Sequence, residues 1–182
     1  ALKSWDIPLI GCVPYNAFLR TPTLKDFEIL FQTQLIAGNK HHYCHFQHPR
    51  LVAGSLEAYL DEMQPNELII TPASREDIIL ETLKRQDYLM KQSNGNHCVY
   101  GMILTGRYPP SSFIIEQIKQ ADLPALYAPL CSYDAMKMIT SFTAKIRGED
   151  LSKIEQAIQL VEENLNFDLL LAGLPAPCMS EN

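Results

Sequence analysis

No stretch of this 182-residue chain approaches the ~18 consecutive apolar residues that a membrane-spanning helix requires. The first apolar segment, Ile7 to Val13, is short and broken by Pro8 and Pro14, so it does not read as a secretory signal peptide. Five cysteines lie scattered with no C-x-x-C pair, so they read as thiols of a reducing, cytoplasmic compartment rather than as a disulfide framework. Positive charge is also scarce: 15 Lys and Arg stand against 21 Asp and Glu, a net of −6. A nucleic-acid binder depends on Lys and Arg contacts to phosphate, and no basic patch remains for one here. Several catalytic signatures are missing as well. There is no G-x-x-x-x-G-K-[ST] phosphate loop, no G-x-G-x-x-G, no G-x-S-x-G and no H-E-x-x-H. No residue pattern names a cofactor.

What is present is a chain that is 47% hydrophobic, long enough to build one core without staples. Residues 149–182 hold seven acids and only one base, Lys153, and so account for the whole net charge. Short apolar runs alternate with helical periodicities, the pattern of an α/β domain with a mostly parallel sheet flanked by helices. The expected strands are 8–13, 51–54, 67–71, 98–104 and 125–128. Thr23, with Asp26 three residues on, caps a helix that continues past Gln34 and Leu35 and stops at Ile36–Asn39. Ser55 opens a short helix through Met63. Ser74 is the expected N-cap of a helix from about Arg75 to Lys91, with Asp77 at the capping-box position. Further helices are expected near 112–120, 134–145 and from Asp150 onward. In the last of these, Ile154, Ala157, Ile158, Val161 and Leu165 share one face. Ser93–Asn96 reads as a polar turn, and Gly173–Asn182 as a loose tail.

Two sets of residues carry possible chemistry. His41, His45 and His48, with His42 and Cys44 among them, would share faces if the segment were helical, and such spacing can chelate a transition metal. No acid inside the segment orients a ring and no second ligand pair stands at zinc-site spacing, so a histidine-rich connector or pH-responsive patch is the plainer reading. The second set lies where two strands end, at Ile69-Ile70-Thr71-Pro72-Ala73-Ser74-Arg75-Glu76-Asp77 and at Ile103-Leu104-Thr105-Gly106-Arg107. Ligands of open α/β sheets favour the crevice beyond the carboxyl ends of strands, where helix N-termini present free N–H groups to an anion. Ser74, Arg75, Asp77, Thr105, Gly106 and Arg107 are therefore the candidate ligand-binding residues, Arg75 and Arg107 supplying charge.

Taken in order, these segments resemble one family. Residues 7–15 and 19–23 look like the junction that follows the BioD-like P-loop half of phosphotransacetylase-type proteins. The segments 51–54, 69–77 and 103–106 resemble the DRTGG domain that comes next, and 134–171 is similar to its closing helices. The resemblance implies a fold like the N-terminal domain of HPr kinase, with a junction over 1–22, the domain over 23–171 and a tail over 172–182. It also implies self-association, and a regulatory or assembly role beside P-loop, CBS or phosphate acetyltransferase domains, without catalysis by this chain. A start at the junction would make the chain a piece of a longer protein or a reduced family member. Of the five residues that name the domain, Arg75, Thr105 and Gly106 match. Ser74 stands where the family has an acid and Arg107 where it has a second glycine, a change of two charge units toward positive. The expected function is thus sensing of a small anion or nucleotide. The alternatives are an interaction domain with a decayed pocket, recruiting a partner through its acidic C-terminal helix, or an accessory part of a phosphate acetyltransferase.

Overall fold

The computed structural model describes residues 9–92 and 100–172. The expectations for Ile7 and Pro8, for the Ser93–Asn96 turn, for His97, Cys98 and Val99 and for the Gly173–Asn182 tail lie outside the described residues. The chain divides into two compact units, Arg20–Lys145 and the segments on either side of it.

The larger unit holds a five-stranded sheet. Its strands are β1 (Leu35–Ala37), β2 (His48–Leu51), β3 (Glu67–Pro72), β4 (Tyr100–Thr105) and β5 (Ala125–Ala128), and its helices are α1 (Leu24–Phe31), α2 (Leu56–Asp61), α3 (Glu76–Gln92), α4 (Ser112–Gln120) and α5 (Ser132–Ser141). The spatial order is β1-β5-β4-β3-β2. All neighbours are parallel except β1, which runs antiparallel to β5. The central strands are apolar runs because both of their faces are covered, as parallel sheets require. Ile69, Met102 and Leu104 pack with Ile78, Ile79, Ile114 and Ile118 on one face. Leu68, Ile70 and Ile103 pack with Leu24, Phe27, Ala135 and Ile139 on the other. Each of these Leu, Ile, Met and Phe side chains, fully buried, contributes roughly 1.5–3 kcal/mol.

Helix starts follow the side chains expected of them. Thr23 Oγ1 accepts the Asp26 N–H at 3.2 Å while Asp26 Oδ2 accepts the Thr23 N–H at 3.0 Å, a reciprocal capping box. Ser55 and Ser111 cap α2 and α4 in the same manner. The ends and edges depart from expectation. Helix α1 stops at Gln32, whose φ of 51° is left-handed, and Leu35–Ala37 becomes the antiparallel edge strand rather than a helix end. Strand β2 begins at His48 opposite Glu67, three residues before the run read as a strand, and Val52–Gly54 continue past its last ladder residue. Pro49 is tolerated because β2 lies at the edge of the sheet. Helix α5 starts at Ser132, capped by Cys131, two residues before the expected Asp134, and ends at Ser141.

The smaller unit contains α6 (Leu151–Asn164), capped by Asp150, and α7 (Phe167–Ala172). The strand expected over 8–13 reduces, from Leu9 on, to one antiparallel bridge between Gly11 and Leu165, and Leu9 is 66% exposed. Among the described residues the short run has no ladder partner beyond that bridge. Gly11 is required there, since an added Cβ would lie 2.1 Å from the Asn164 carbonyl oxygen. The apolar face read along α6 is only partly covered: Ile158 is 52% exposed and Leu165 lies past the helix end.

Candidate functional site

The parallel register places Pro72 opposite Thr105, so the turns after β3 and β4 leave the sheet side by side. The Ala73 N–H donates to the Thr105 carbonyl at 2.7 Å, tying the first turn to the second. Ser74, Arg75, Asp77, Thr105, Gly106 and Arg107 therefore all lie at the carboxyl edge of two adjacent strands, where α3, α4 and α5 also begin.

Within that edge the six residues have different tasks. Helix α3 starts at Glu76, so Ser74 sits exposed in the preceding turn and Arg75 is the flanking residue; the Ile79 N–H bonds the Arg75 carbonyl. Ser74 is thus not the cap of this helix, because the Pro72-to-Arg75 turn displaces the start by one residue. Asp77 takes no part in a capping box either. It receives Arg75 Nε and Nη2 at 2.9 and 2.8 Å, a two-pronged pair. The third arm of Arg75, Nη1, donates to the Gly54 carbonyl at 2.8 Å. That hydrogen bonding holds the Asp77 carboxyl below the usual carboxylate range and the Arg75 guanidinium above its own. Arg75 is accordingly a clamp from α3 to the loop after β2, its charge already answered.

Thr105 is buried. Its hydroxyl donates to the Thr71 carbonyl at 3.2 Å and lies 2.6 Å from Ser132 Oγ. Gly106 has a φ of +122°, a conformation that side chains rarely adopt, and its two backbone groups are fixed. Its N–H donates to the Leu130 carbonyl at 2.7 Å, and its carbonyl accepts the Tyr127 hydroxyl at 2.7 Å. Arg107 projects into solvent with its guanidinium 5.7 Å from the Tyr108 ring centroid. Among the described residues it has no ion-pair partner. Ser111 Oγ donates to Glu76 Oε1 at 2.8 Å and joins the starts of α3 and α4. Tyr127, Ser132 and Gly54 were not singled out from the sequence. The signal for Ser132 and Tyr127 was the adjacency of β4 and β5, which needs the strand order to be known.

The histidine segment does not gather a metal set. Asn39–His41 form one 3₁₀ turn, His45 bridges Thr23, and His48 starts β2, so the helical spacing that would align His41, His45 and His48 never forms. Cys44 Sγ lies 3.8 Å from His41 Nδ1, and His42 Nε2 lies 3.2 Å from Glu28 Oε2. Among the described residues no group of three or more His, Cys, Asp or Glu could hold an ion. No helix among them is long and apolar enough to cross a membrane.

The DRTGG domain model matches residues 30–142, which contain all five strands and α2 to α5. Phosphate acetyltransferases of Acinetobacter baylyi and Pseudomonas aeruginosa are 27% and 26% identical to this chain, each across 91% of it. The chain spans only 22% and 23% of those two enzymes. A solved structure of the CBS and DRTGG domains from the regulatory region of Clostridium perfringens pyrophosphatase, complexed with its activator diadenosine tetraphosphate, shares the fold. Its TM-score is 0.51 at 15% identity, over 88% of this chain and 66% of that one.

Proposed function

This chain belongs to the DRTGG domain family, and on that premise we propose that it is a non-catalytic regulatory module of a phosphate acetyltransferase-type protein. It senses a small anion or nucleotide at the turns after β3 and β4. The carrying observation is the register of Pro72 with Thr105, which sets the two motif turns side by side and leaves Arg107 free for an anion while Arg75 holds the scaffold. Relatives that are acetyltransferases and a structural neighbour from an activator-regulated enzyme support the same reading. In the parent protein the domain, over 23–171 with a junction over 1–22 and a tail over 172–182, follows a BioD-like P-loop half and self-associates in the cytoplasm.

Arg107→Glu tests the site. The fold rests on Thr105, Gly106 and Arg75 rather than on Arg107, so the variant keeps its melting temperature and loses anion-dependent stabilisation. An unchanged response to anions would remove Arg107 from the site.

One observation favours a second reading. Leu151, Ile158, Leu169 and Leu171 on α6 and α7 are 52–67% exposed, amid the acidic segment of the chain. A domain acting only as an adaptor would recruit a partner through these helices. It would show no ligand response, and would lose its partner when Ile158 or Val161 is made polar.

A further inference from the structure

We propose that the outer side of α6 is a docking surface for a partner helix whose apolar seam is flanked by Lys and Arg. The surface rests on α6 alone and stands whether or not the turns after β3 and β4 bind an anion. It goes beyond the adaptor reading by stating what the partner must carry.

Leu151, Ile154, Ile158, Val161 and Leu165 follow one another at alternating spacings of three and four, the seam of a heptad pattern. A helix packed only on its own unit would bury such a seam. Here Leu151 and Ile158 are more than half exposed and Val161 is 36% exposed, while Ile154 and Leu165 are half-buried. The buried side of α6 is a different one, marked by Lys153, which is fully covered. The seam is thus formed and held straight before any partner arrives, so little ordering cost remains for α6 on binding.

Charge decides the occupant. Glu155 and Glu162 are exposed and each follows a seam residue, the place from which a helix reads the charges of its partner. Among the described residues neither has an ion-pair partner. At the end of the seam Leu165 lines a groove of about 560 Å³ together with Phe167, Glu163 and Asp168, which adds two carboxylates. No base on α6 answers these acids, because Lys153 is its only one and is buried. A second copy cannot answer them either. Laid antiparallel, its own Glu155 and Glu162 would face them, and laid parallel it would bring Ala157 to Glu162. A helix with Lys or Arg on both sides of an apolar seam meets both demands of the surface.

The test uses two synthetic three-heptad peptides with the same Leu seam, one flanked by Lys and the other by Glu. Like charges keep either peptide from pairing with itself. Fluorescence anisotropy and two-dimensional ¹H–¹⁵N spectra of the whole chain follow their binding. The expected result is saturable one-to-one binding of the Lys peptide, with amide movement concentrated over 151–165, and no binding of the Glu peptide. Ile158→Asp changes an exposed side chain, so the fold survives, and binding weakens about ten-fold or more. Glu155→Lys combined with Glu162→Lys reverses the preference, so that this variant takes the Glu peptide. Arg107→Glu leaves peptide binding unchanged. Equal binding of both peptides, movement spread away from α6, or binding that survives Ile158→Asp overturns the proposal. Self-association of the free chain that Ile158→Asp abolishes would make a second copy the occupant and overturn it as well.

Discussion

Thr105 Oγ1 lies 2.6 Å from Ser132 Oγ, joining the last residue of β4 to the first of α5. Because the Thr105 proton goes to the Thr71 carbonyl, Ser132 is the donor of this pair. Three elements of the candidate site, β3, β4 and α5, are thereby held by one buried hydroxyl. Thr105→Val keeps the shape and leaves the Thr71 carbonyl without that bond, at a cost of about 1–2 kcal/mol. Ser132→Ala removes only the part-buried Ser132–Thr105 bond and costs about 1 kcal/mol or less. Urea unfolding of both variants checks the order; equal midpoints for wild type and Thr105→Val would contradict it.

Arg75 reaches Gly54 across 21 residues of chain while it pairs with Asp77. Arg75→Ala removes both contacts from a partly exposed side chain, so the expected loss is modest, about 1 kcal/mol. Faster amide hydrogen exchange over 53–56 is the more specific readout. If only the Asp77 pair mattered, exchange there would not change.

Removing Arg50 altogether strands a buried carboxylate. Burial pushes the Glu67 carboxyl up despite the Arg50 charge, and Arg50→Met takes that compensation away. The predicted destabilisation is about 3 kcal/mol at neutral pH, partly recovered at low pH where Glu67 is neutral. A variant as stable as wild type at pH 7 would show that Glu67 ionisation carries no cost in the fold.

Acid sensitivity has a second source with the opposite sign. Burial raises the Glu28 carboxyl, but hydrogen bonds from Lys25 and the Leu35 N–H, and the nearby His42, outweigh it and hold Glu28 below its ordinary value. Its folded value lies below its unfolded one. Its contribution is therefore complete above roughly pH 4.3 and is lost as pH falls through the folded value. Asp77, lowered by Arg75, acts in the same direction. Glu28→Gln flattens the acid side of the stability profile, measured by urea midpoints between pH 3 and 6. An unchanged slope would exclude Glu28 as a source.

Local signals were readable in the sequence where one segment sufficed. The Thr23–Asp26 box, the cap at Ser55 and the runs that became α4 and β5 lie where periodicity and capping residues place them. The α/β class and the resemblance to the family were legible for the same reason. Edges were not. Leu35–Ala37 could continue a helix or start a strand, and the choice was made by pairing with Leu126, about ninety residues away. His48–Leu51 contains a proline and two polar side chains, and became a strand only because β3 offered a ladder. At the candidate site the sequence could name six residues on two strand ends, and the structure sets those two turns side by side, but the contacts each residue makes were not legible. Nothing local to Arg75 reveals that the distant Gly54 carbonyl takes its third arm, nor that Arg107 has no ion-pair partner among the described residues.

The most direct test is thermal unfolding of the chain at two protein concentrations, alone and with inorganic phosphate, acetyl phosphate, coenzyme A, ATP or diadenosine tetraphosphate. A ligand at 100 times its dissociation constant adds about 2.7 kcal/mol, a clear rise in melting temperature. The regulatory reading predicts such a rise with at least one anionic ligand, abolished by Arg107→Glu. A midpoint that moves with protein concentration alone, and with none of these ligands, would contradict it and leave a self-associating interaction domain.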